Sequence, residues 1–316
     1  MSNSSPSDSS IIIAKIPDEV LCEIFYRIRS LPLLLLASRT CRHWRNIIFN
    51  EWFFNNYYSV KYRGRNLIGW WKFDDKNHIG RDSSGLLGNR YTLNGSPQIE
   101  QCILGCNCCV FDGHSVIKVP VDDKLEYQID NFSISLWFLA EDDLNYGWKV
   151  FLAAWDEPNN YWMHIGFHDR SIESQAMISP TYRYQFNCKA RNMIIQSKTW
   201  YHLVVRYSRN NKQDIWINGK LQTQVHMTTP NGVTTIWNKP IFSSSPPRLW
   251  WSSQKMCMPD ALFIGAKNEK YTYSWSGGKL ADITIWNKLL EPIEIRAAYR
   301  EKVSIDKLNV GTYIFQ

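Results

Sequence analysis

The chain has 316 residues, of which 44% are hydrophobic and 21% are charged, and its formal net charge is +7. This length allows one small module and one larger domain, and no apolar run reaches the roughly 18 to 20 residues that span a bilayer. The positive charge is dispersed without a lysine and arginine block, so neither a membrane nor a nucleic acid is expected as a partner.

The first ten residues are rich in serine and lack the basic and then apolar order of a secretion signal. We therefore expect the protein in the cytoplasm, the nucleus or both, where cysteines stay reduced. Four of the cysteines are crowded into one run, which lacks a second Cys-x2-Cys knuckle and a spaced histidine pair. They are Cys102, Cys106, Cys108 and Cys109. Small apolar packing is favoured over a metal or redox role, and no cofactor is expected.

A helical pattern opens the ordered part of the sequence. Pro17 suits a first helical turn because its missing N–H is not needed there, and Asp18 and Glu19 complement a helix N-terminus. Apolar residues then recur at three- and four-residue spacing, which predicts an amphipathic helix. These residues are Val20, Leu21, Ile24, Phe25 and Ile28.

The leucines at 33–36 and the segment from Cys41 to Ile48 continue this pattern, and together they resemble an F-box. The ordered set that carries the resemblance is Pro17, Ile24, Leu35, Cys41, Arg42, Trp44 and Arg45. Ser38-Arg39-Thr40 departs from it, because an apolar pair usually precedes the cysteine. We place the F-box at residues 11–60.

The resemblance implies docking to the adaptor subunit of an SCF-type cullin-RING ubiquitin ligase and, through it, to a cullin scaffold. The adaptor-binding residues would be Ile16, Pro17, Val20, Leu21, Ile24, Ile28, Leu35 and Leu36. Some of the leucines, and Trp44, must also fill the interior of the module, because the apolar stripe is wider than one partner helix requires.

From Leu67 onward the apolar period changes from helical spacing to alternation. Phe132, Ile134, Leu136 and Phe138 share one face of a predicted strand, and 200–207 alternates in the same way. Asn218-Gly219 lies between two extended runs and predicts a hairpin, because a type I′ turn needs two residues that tolerate positive φ. Many short strands with turns between them indicate an antiparallel sandwich.

Residues 67–302 resemble concanavalin A-like, laminin G-like jelly rolls. The motifs that carry the resemblance are Trp70-Trp-Lys-Phe73, Asp82-Ser-Ser-Gly85, Phe132-Ser-Ile-Ser-Leu-Trp137, Ile215-Trp-Ile-Asn-Gly-Lys220 and Gly278-Lys-Leu-Ala-Asp-Ile-Thr-Ile-Trp-Asn287. The expected fold is mainly β, an antiparallel jelly-roll β-sandwich preceded by a small α-helical F-box module. A short helix from Pro292 is expected to close the domain.

Catalysis is not expected, although some proteins of this fold hydrolyse glycans. Such sites need two carboxylates in one cleft, and the acidic run Glu141-Asp142-Asp143 follows a strand in a polar loop. The sequence has no Gly-x-Ser-x-Gly elbow, phosphate-binding glycine loop or His-Glu-x-x-His motif. His164 and His168 share a strand face but lack a third ligand. We therefore name no catalytic residue and no metal ligand.

Calcium remains open at two positions that align with acidic residues of laminin G-like relatives, Asp82 and Asp282. Carboxylates are suitable hard ligands for this ion. A turn around Asp82 and hydrogen bonding at a strand end by Asp282 explain the two residues equally well.

The long connection at 227–260 contains Trp237, Trp250 and Trp251 among prolines. These tryptophans either pin the insertion to the sandwich or bind a target, and we expect Trp250 or Trp251 to be exposed beside a groove. The sequence thus favours a non-catalytic receptor that presents an unknown protein or glycoprotein to a ubiquitin ligase. The alternatives are an intracellular lectin-like glycan-binding protein and, less favoured, a glycan-active enzyme.

Overall fold

The computed structural model describes residues 16–28, 31–50, 52–53, 57, 66–102, 105–121, 131–141, 147–156, 161–169, 171–179, 184–190, 195–208, 212–226, 261–270 and 273–302. The chain forms two compact units, Met1–Gly64 with Leu308–Gln316 and Arg65–Lys307. Within the described ranges, no helix is both long and apolar enough to cross a membrane.

The first unit contains three short helices: α1 (Asp18–Tyr26), α2 (Leu31–Ala37) and α3 (Arg42–Ile48). Pro17 occupies the N-cap of α1, and its fixed φ of −56° is close to the value that the first helical turn adopts. Cys41 caps α3, because its Sγ accepts a hydrogen bond from the backbone N–H of Trp44 at 3.5 Å. The predicted first helix is confirmed.

Aromatic side chains form the interior of this first unit. The rings of Phe25 and Trp44 meet edge to face at 5.1 Å, and Tyr26 stacks on Phe53 at 4.7 Å. The hydroxyl of Tyr57 donates to the carbonyl oxygen of Ile28 at 2.7 Å, which ties the end of the unit to its first helix. The module therefore has a core of its own.

The second unit consists of short strands followed by one helix, α4 (Pro292–Glu301). The strands are β1 (Leu67–Trp71), β2 (Thr92–Asn94), β3 (Gln98–Gln101), β4 (Asn107–Asp112), β5 (Val116–Pro120), β6 (Asn131–Ala140), β7 (Trp148–Asp156), β8 (Tyr161–His168), β9 (Ser171–Ser179), β10 (Tyr184–Ala190), β11 (Trp200–Ser208), β12 (Lys212–Ile217), β13 (Lys220–His226), β14 (Ala261–Ile264) and β15 (Ser276–Trp286).

These strands form two antiparallel sheets. The eight-stranded sheet has the order β13-β12-β11-β6-β15-β4-β3, and β1 pairs with β15 beside this path. The seven-stranded sheet has the order β10-β9-β8-β7-β14-β5-β2. Strands distant in sequence are neighbours in both sheets, as in a jelly roll. The predicted fold class is confirmed.

The main core lies between the two sheets. Phe138 of β6 stacks on Phe151 of β7 at 4.8 Å, and Trp275 meets Phe151 edge to face at 4.7 Å. The predicted inward face of β6 is confirmed, since Phe132, Ile134, Leu136 and Phe138 all belong to this core.

The outer face of β6 is also buried, which differs from the half-buried strand that the alternation predicts. Trp137 points outward and packs with Cys108 and Ala281, and its ring lies 6.2 Å from that of Tyr299 in α4. A second outer cluster joins Trp70, Trp216 and Trp286 to Leu290 and Ile295, the last of which lies in α4. The closing helix therefore covers a face that strand periodicity alone would leave to solvent.

The hairpin predicted at Asn218-Gly219 joins β12 to β13. Asn218 has φ +50° and Gly219 has φ +73°, the combination that a type I′ turn requires. The closing helix begins at Pro292 as predicted, and Glu291 and Glu294 form a reciprocal capping box at its start.

The insertion with Trp237, Trp250 and Trp251 lies outside the described residues.

Candidate functional site

The first unit carries most of the large apolar side chains that are exposed among the described residues. Val20 and Ile24 of α1 are each 47% exposed, and Leu33 and Leu36 of α2 are 57% and 60% exposed. Trp52 is 61% exposed on the same unit. Single exposed apolar residues need no explanation, but several on one small module indicate a binding surface.

The core of the module is filled by different residues. Leu21, Phe25, Leu34 and Ile48 are each at most 1% exposed. The exposed residues are therefore not needed to fill the interior. The apolar stripe on α1 is wide enough to supply both core residues and exposed residues. We call these four exposed apolar side chains, Val20, Ile24, Leu33 and Leu36, the apolar docking surface.

The residues that the sequence assigns to adaptor binding divide between this surface and the interior. Pro17, Val20, Ile24 and Leu36 are exposed, whereas Ile16, Ile28 and Leu35 are half-buried. Leu21 does not lie on the surface, because its side chain points into the core at 1% exposure. The expectation for Leu21 is corrected: its role is packing. The sequence analysis did not name Leu33, two residues before Leu35, as an exposed apolar residue.

An arginine-lined cavity lies on the same unit, where α2 leads into α3. Arg39, Arg42 and Arg45 line it together with Ser38, Cys41 and Phe49, and it encloses about 540 Å³. The Arg45 guanidinium lies 5.8 Å from the centre of the Phe49 ring. Across the part of the chain that the structure describes, no carboxylate forms an ion pair with these three arginines. The cavity is therefore a local concentration of positive charge.

A second polar cluster lies on the outer face of the seven-stranded sheet. Trp148 stacks on His168 at 4.6 Å and meets His164 edge to face at 4.4 Å. The buried carboxylate of Glu173 accepts from His168 Nδ1 at 3.0 Å and lies 3.5 Å from Lys189 Nζ. His164 and His168 thus flank a tryptophan, and burial lowers the pKa of His164 to about 3.

Tyr273 extends this cluster toward solvent. Its ring is 45% exposed, and it lies 6.4 Å from the ring of Trp148. The ammonium group of Lys267 lies 5.4 Å from the centre of the Tyr273 ring, and burial lowers the pKa of that lysine. We call Trp148, His168, Glu173, Lys267 and Tyr273 the outer-sheet cluster. An exposed aromatic ring beside charged side chains is a suitable surface for a polar ligand with an apolar face.

The two candidate calcium ligands, Asp82 and Asp282, form hydrogen bonds within the protein. Asp82 accepts hydrogen bonds from the backbone N–H groups of Trp70, Ser84 and Leu87 at 2.8, 2.9 and 3.0 Å, and from the Ser84 hydroxyl at 2.7 Å. Asp282 accepts from the indole N–H of Trp70 at 2.8 Å. Both Asp82 oxygens and Oδ1 of Asp282 therefore accept hydrogen bonds from protein donors, which gives the two carboxylates a structural role.

Other candidate groups also have local partners. Glu141 forms an ion pair with Lys279 at 3.1 Å, while 142–143 lie outside the described residues. Cys109 belongs to the main core, and Cys108 packs with Trp137 on the outer face. In the described ranges no group of three or more histidine, cysteine or acidic side chains converges as metal ligands would.

Comparison with known families identifies both parts of the chain. Residues 13–59 match an F-box-like family, and residues 111–253 match a family of the concanavalin A-like lectin/glucanase superfamily. The chain therefore carries an F-box-like region followed by a concanavalin A-like domain. No curated protein matches it in a sequence search.

Solved structures with a similar fold include toxin binding domains. The receptor-binding domain of botulinum neurotoxin mosaic serotype C/D matches with a TM-score of 0.54 and 14% identity, over 75% of this chain and 51% of that chain. A structure of botulinum neurotoxin type C, whose cell entry depends on interaction with two ganglioside molecules, matches with a TM-score of 0.54 and 14% identity, over 77% and 53%.

The binding domain of Paraclostridial Mosquitocidal Protein 1 matches with a TM-score of 0.51 and 14% identity, over 75% of this chain and 52% of that chain. The present chain thus spans about half the length of these solved chains. At this identity the similarity establishes the fold and nothing further.

Proposed function

We propose that this protein is a substrate receptor of an SCF-type cullin-RING ubiquitin ligase. The F-box-like unit binds the adaptor subunit and, through it, the cullin scaffold, while the β-sandwich binds the protein or glycoprotein to be modified. The observation that carries this proposal is the apolar docking surface, which remains exposed on a module whose core is already complete. It is supported by the F-box-like match over residues 13–59.

The contribution of such a receptor is proximity. Holding a target lysine beside a loaded ubiquitin carrier raises their effective concentration, and no bond is made or broken by the receptor itself. A protein with this role works in the cytoplasm or nucleus. The domain bounds that go with this role are 11–60 for the F-box and 67–302 for the sandwich.

The proposal is tested by measuring the affinity of the full chain for the purified adaptor, with Ile24→Asp as the variant. Ile24 is 47% exposed, so the substitution leaves the fold intact. Docking would bury its carboxylate without a partner, at a cost of several kcal/mol, and affinity should fall by about a hundredfold or more.

Asn46→Asp is the matched control, because it adds the same charge at an exposed position of α3 outside the docking surface. The control should bind like the unmodified chain. Equal binding by Ile24→Asp and the unmodified chain, or no binding by either, would reject the proposed role.

Glycan binding by the sandwich is the second candidate, and the outer-sheet cluster favours it. Tyr273 offers an exposed ring, the Lys267 ammonium group lies 5.4 Å from its centre, and the ring of Trp148, which stacks on His168, lies 6.4 Å from it. Sugars are bound by such combinations of an aromatic face with polar hydrogen-bonding groups. Binding of the full chain to a glycan array, lost on Tyr273→Ala and retained on Tyr91→Ala, would support this candidate. An array without specific signal would reject it.

A further inference from the structure

Two cysteine thiols lie in contact where β3 turns into β4. The Sγ atoms of Cys102 and Cys106 are 3.2 Å apart. Both side chains are half-buried, which leaves them open to a small reagent. The crowding of cysteines in the sequence does not by itself predict this contact. Cys108 and Cys109 belong to the same run, yet both are buried at 0% exposure.

The backbone fixes the two thiols opposite each other. Gln101 of β3 pairs with Asn107 of β4, so Cys102 and Cys106 form the next pair along the ladder. The N–H of Cys102 donates to the carbonyl oxygen of Cys106 at 3.0 Å, and the N–H of Gly105 donates to that of Cys102 at 3.3 Å. Directly opposed residues of an antiparallel pair point to the same face.

This arrangement suits a covalent bond between the two sulfurs. A hydrogen-bonded antiparallel pair has a Cα separation of about 5.5 Å, which is within the range of about 4.4 to 6.8 Å that disulfides require. The sulfurs would need to approach by only about 1 Å to reach the disulfide bond length of about 2.05 Å. Side-chain rotation supplies such a movement without a change of strand register.

We propose that Cys102 and Cys106 form a reversible, oxidation-sensitive disulfide with peroxide as the oxidant. In the first step the Cys102 sulfur attacks a peroxide oxygen, the O–O bond breaks, and a sulfenic acid and one water are formed. In the second step the Cys106 sulfur attacks the sulfenic sulfur, the S–S bond forms, and a second water leaves. The two thiols lose two hydrogen atoms, and hydrogen peroxide is reduced to two waters.

The surroundings assign the order of the two residues. The pKa of Cys106 is raised, first by its hydrogen bond to Cys102 and then by burial. Either sulfur can donate in the contact between them, and with the proton on Cys106, the direction that its raised pKa favours, Cys102 is the attacking sulfur. Cys108 is a poorer partner, because burial raises its pKa to about 12 and its side chain packs among Trp137 and Ala281.

The location suggests what the bond does. β3 lies at the edge of the eight-stranded sheet, and an edge strand is held to its sheet on one side only. A disulfide at its turn fastens that strand to β4 in an oxidised cell. The closed loop is very short and gains little from restricting the unfolded chain, so cellular thiols should reduce the bond readily.

The test exposes the reduced full chain to stoichiometric hydrogen peroxide and measures the intact mass and the number of thiols that remain alkylatable. The expected result is a loss of two hydrogen atoms and of two alkylatable thiols, both restored by dithiothreitol. Cys102→Ser and Cys106→Ser should each abolish the loss, whereas Cys108→Ser and Cys188→Ser should retain it.

Cys41 serves as an internal reference that needs no variant, because it is exposed and forms no thiol contact within the described residues. In the unmodified chain the Cys102–Cys106 pair should be oxidised faster than Cys41 acquires oxygen. Unchanged alkylation of both residues, a bond that survives either Cys102→Ser or Cys106→Ser, or oxidation of Cys41 first would each overturn the proposal.

Discussion

Asp82 and Asp282 each accept a hydrogen bond from Trp70. Asp82 accepts the backbone N–H of Trp70 at 2.8 Å, and Asp282 accepts its indole N–H at 2.8 Å. Asp282 has φ +46°, a backbone conformation that aspartate and asparagine tolerate better than most residues. Of the two acidic positions that the jelly-roll resemblance suggests for calcium, Asp82 therefore ties the first strand of the sandwich to the loop after it, and Asp282 ties it to the last strand.

Removal of the Asp82 carboxylate should destabilise the second unit strongly. Asp82→Ala leaves several buried N–H groups without an acceptor, and we expect a loss of about 2 to 4 kcal/mol in the free energy of unfolding. Urea unfolding followed by tryptophan fluorescence measures the change. Asp74→Ala is the control, because Asp74 is exposed and pairs only loosely with Lys72 at 3.6 Å.

Calcium should not change this stability. Added calcium that raised the unfolding midpoint of the unmodified chain, but not that of Asp82→Ala, would contradict the structural assignment of Asp82.

Two buried histidines should make the sandwich less stable in mild acid. Burial lowers the pKa of His202 to about 3 and that of His164 to about 3, from an ordinary value of 6.5. Below pH 6.5 the two histidines are protonated in the unfolded chain but remain neutral in the folded chain. Stability should therefore fall as the pH drops from 6.5 toward 3, by up to about 1.4 kcal/mol per pH unit for each histidine.

The measurement is the free energy of unfolding of the second unit between pH 7 and pH 5. His202→Gln, which can still bond to the Ser135 hydroxyl, should remove about half of the slope, while His114→Gln at an exposed position should leave it unchanged. An identical slope in His202→Gln and the unmodified chain would contradict the assignment.

The arginine-lined cavity should speed adaptor association, given the proposed function. Arg39→Glu with Arg42→Glu replaces two positive charges by two negative ones and should slow association by about tenfold at low salt. The effect should shrink as salt screens the charges. Stopped-flow association at several salt concentrations measures it, with Lys220→Glu as the control. Rates that remain unchanged in the double variant would show that the cavity plays no part in docking.

The hairpin turn should tolerate little change at Gly219. A Cβ there would lie 3.4 Å from the Cα of Arg296 while φ is +73°, so Gly219→Val combines backbone strain with crowding. We expect a loss of about 1 to 3 kcal/mol in unfolding free energy. Gly219→Asn should cost less than about 1 kcal/mol, because asparagine tolerates positive φ far better than valine does. Equal losses in the two variants would contradict the turn assignment.

Sequence patterns predicted the features that depend on near neighbours. Alternation identified the inward face of β6, and Asn218-Gly219 identified the hairpin between β12 and β13, because both follow from local backbone geometry. The outer face of β6 was not predicted, because its burial depends on Tyr299, far along the chain. The pairing of Trp70 with Asp282 spans 212 residues and has no local pattern.

The division of the F-box stripe was predicted only in part. Periodicity places Val20, Leu21 and Ile24 on one broad face, and only tertiary packing decides that Leu21 turns inward while the other two stay exposed. Of the residues in and beside the outer-sheet cluster, the sequence pointed to His168 and its neighbour His164, because they share a strand face. Glu173, which completes it, comes from the next strand and carries no distinguishing pattern.

The pairing of β1 with β15 has a consequence for synthesis on the ribosome. Leu67 lies opposite Trp286, and β15 also forms the bridge between β6 and β4. The eight-stranded sheet therefore cannot close until residue 286 has left the exit tunnel, whereas the helices at 18–48 can pack long before. A nascent chain halted between these points would present a folded F-box-like module attached to an unpaired sheet, which exposes strand edges that can aggregate.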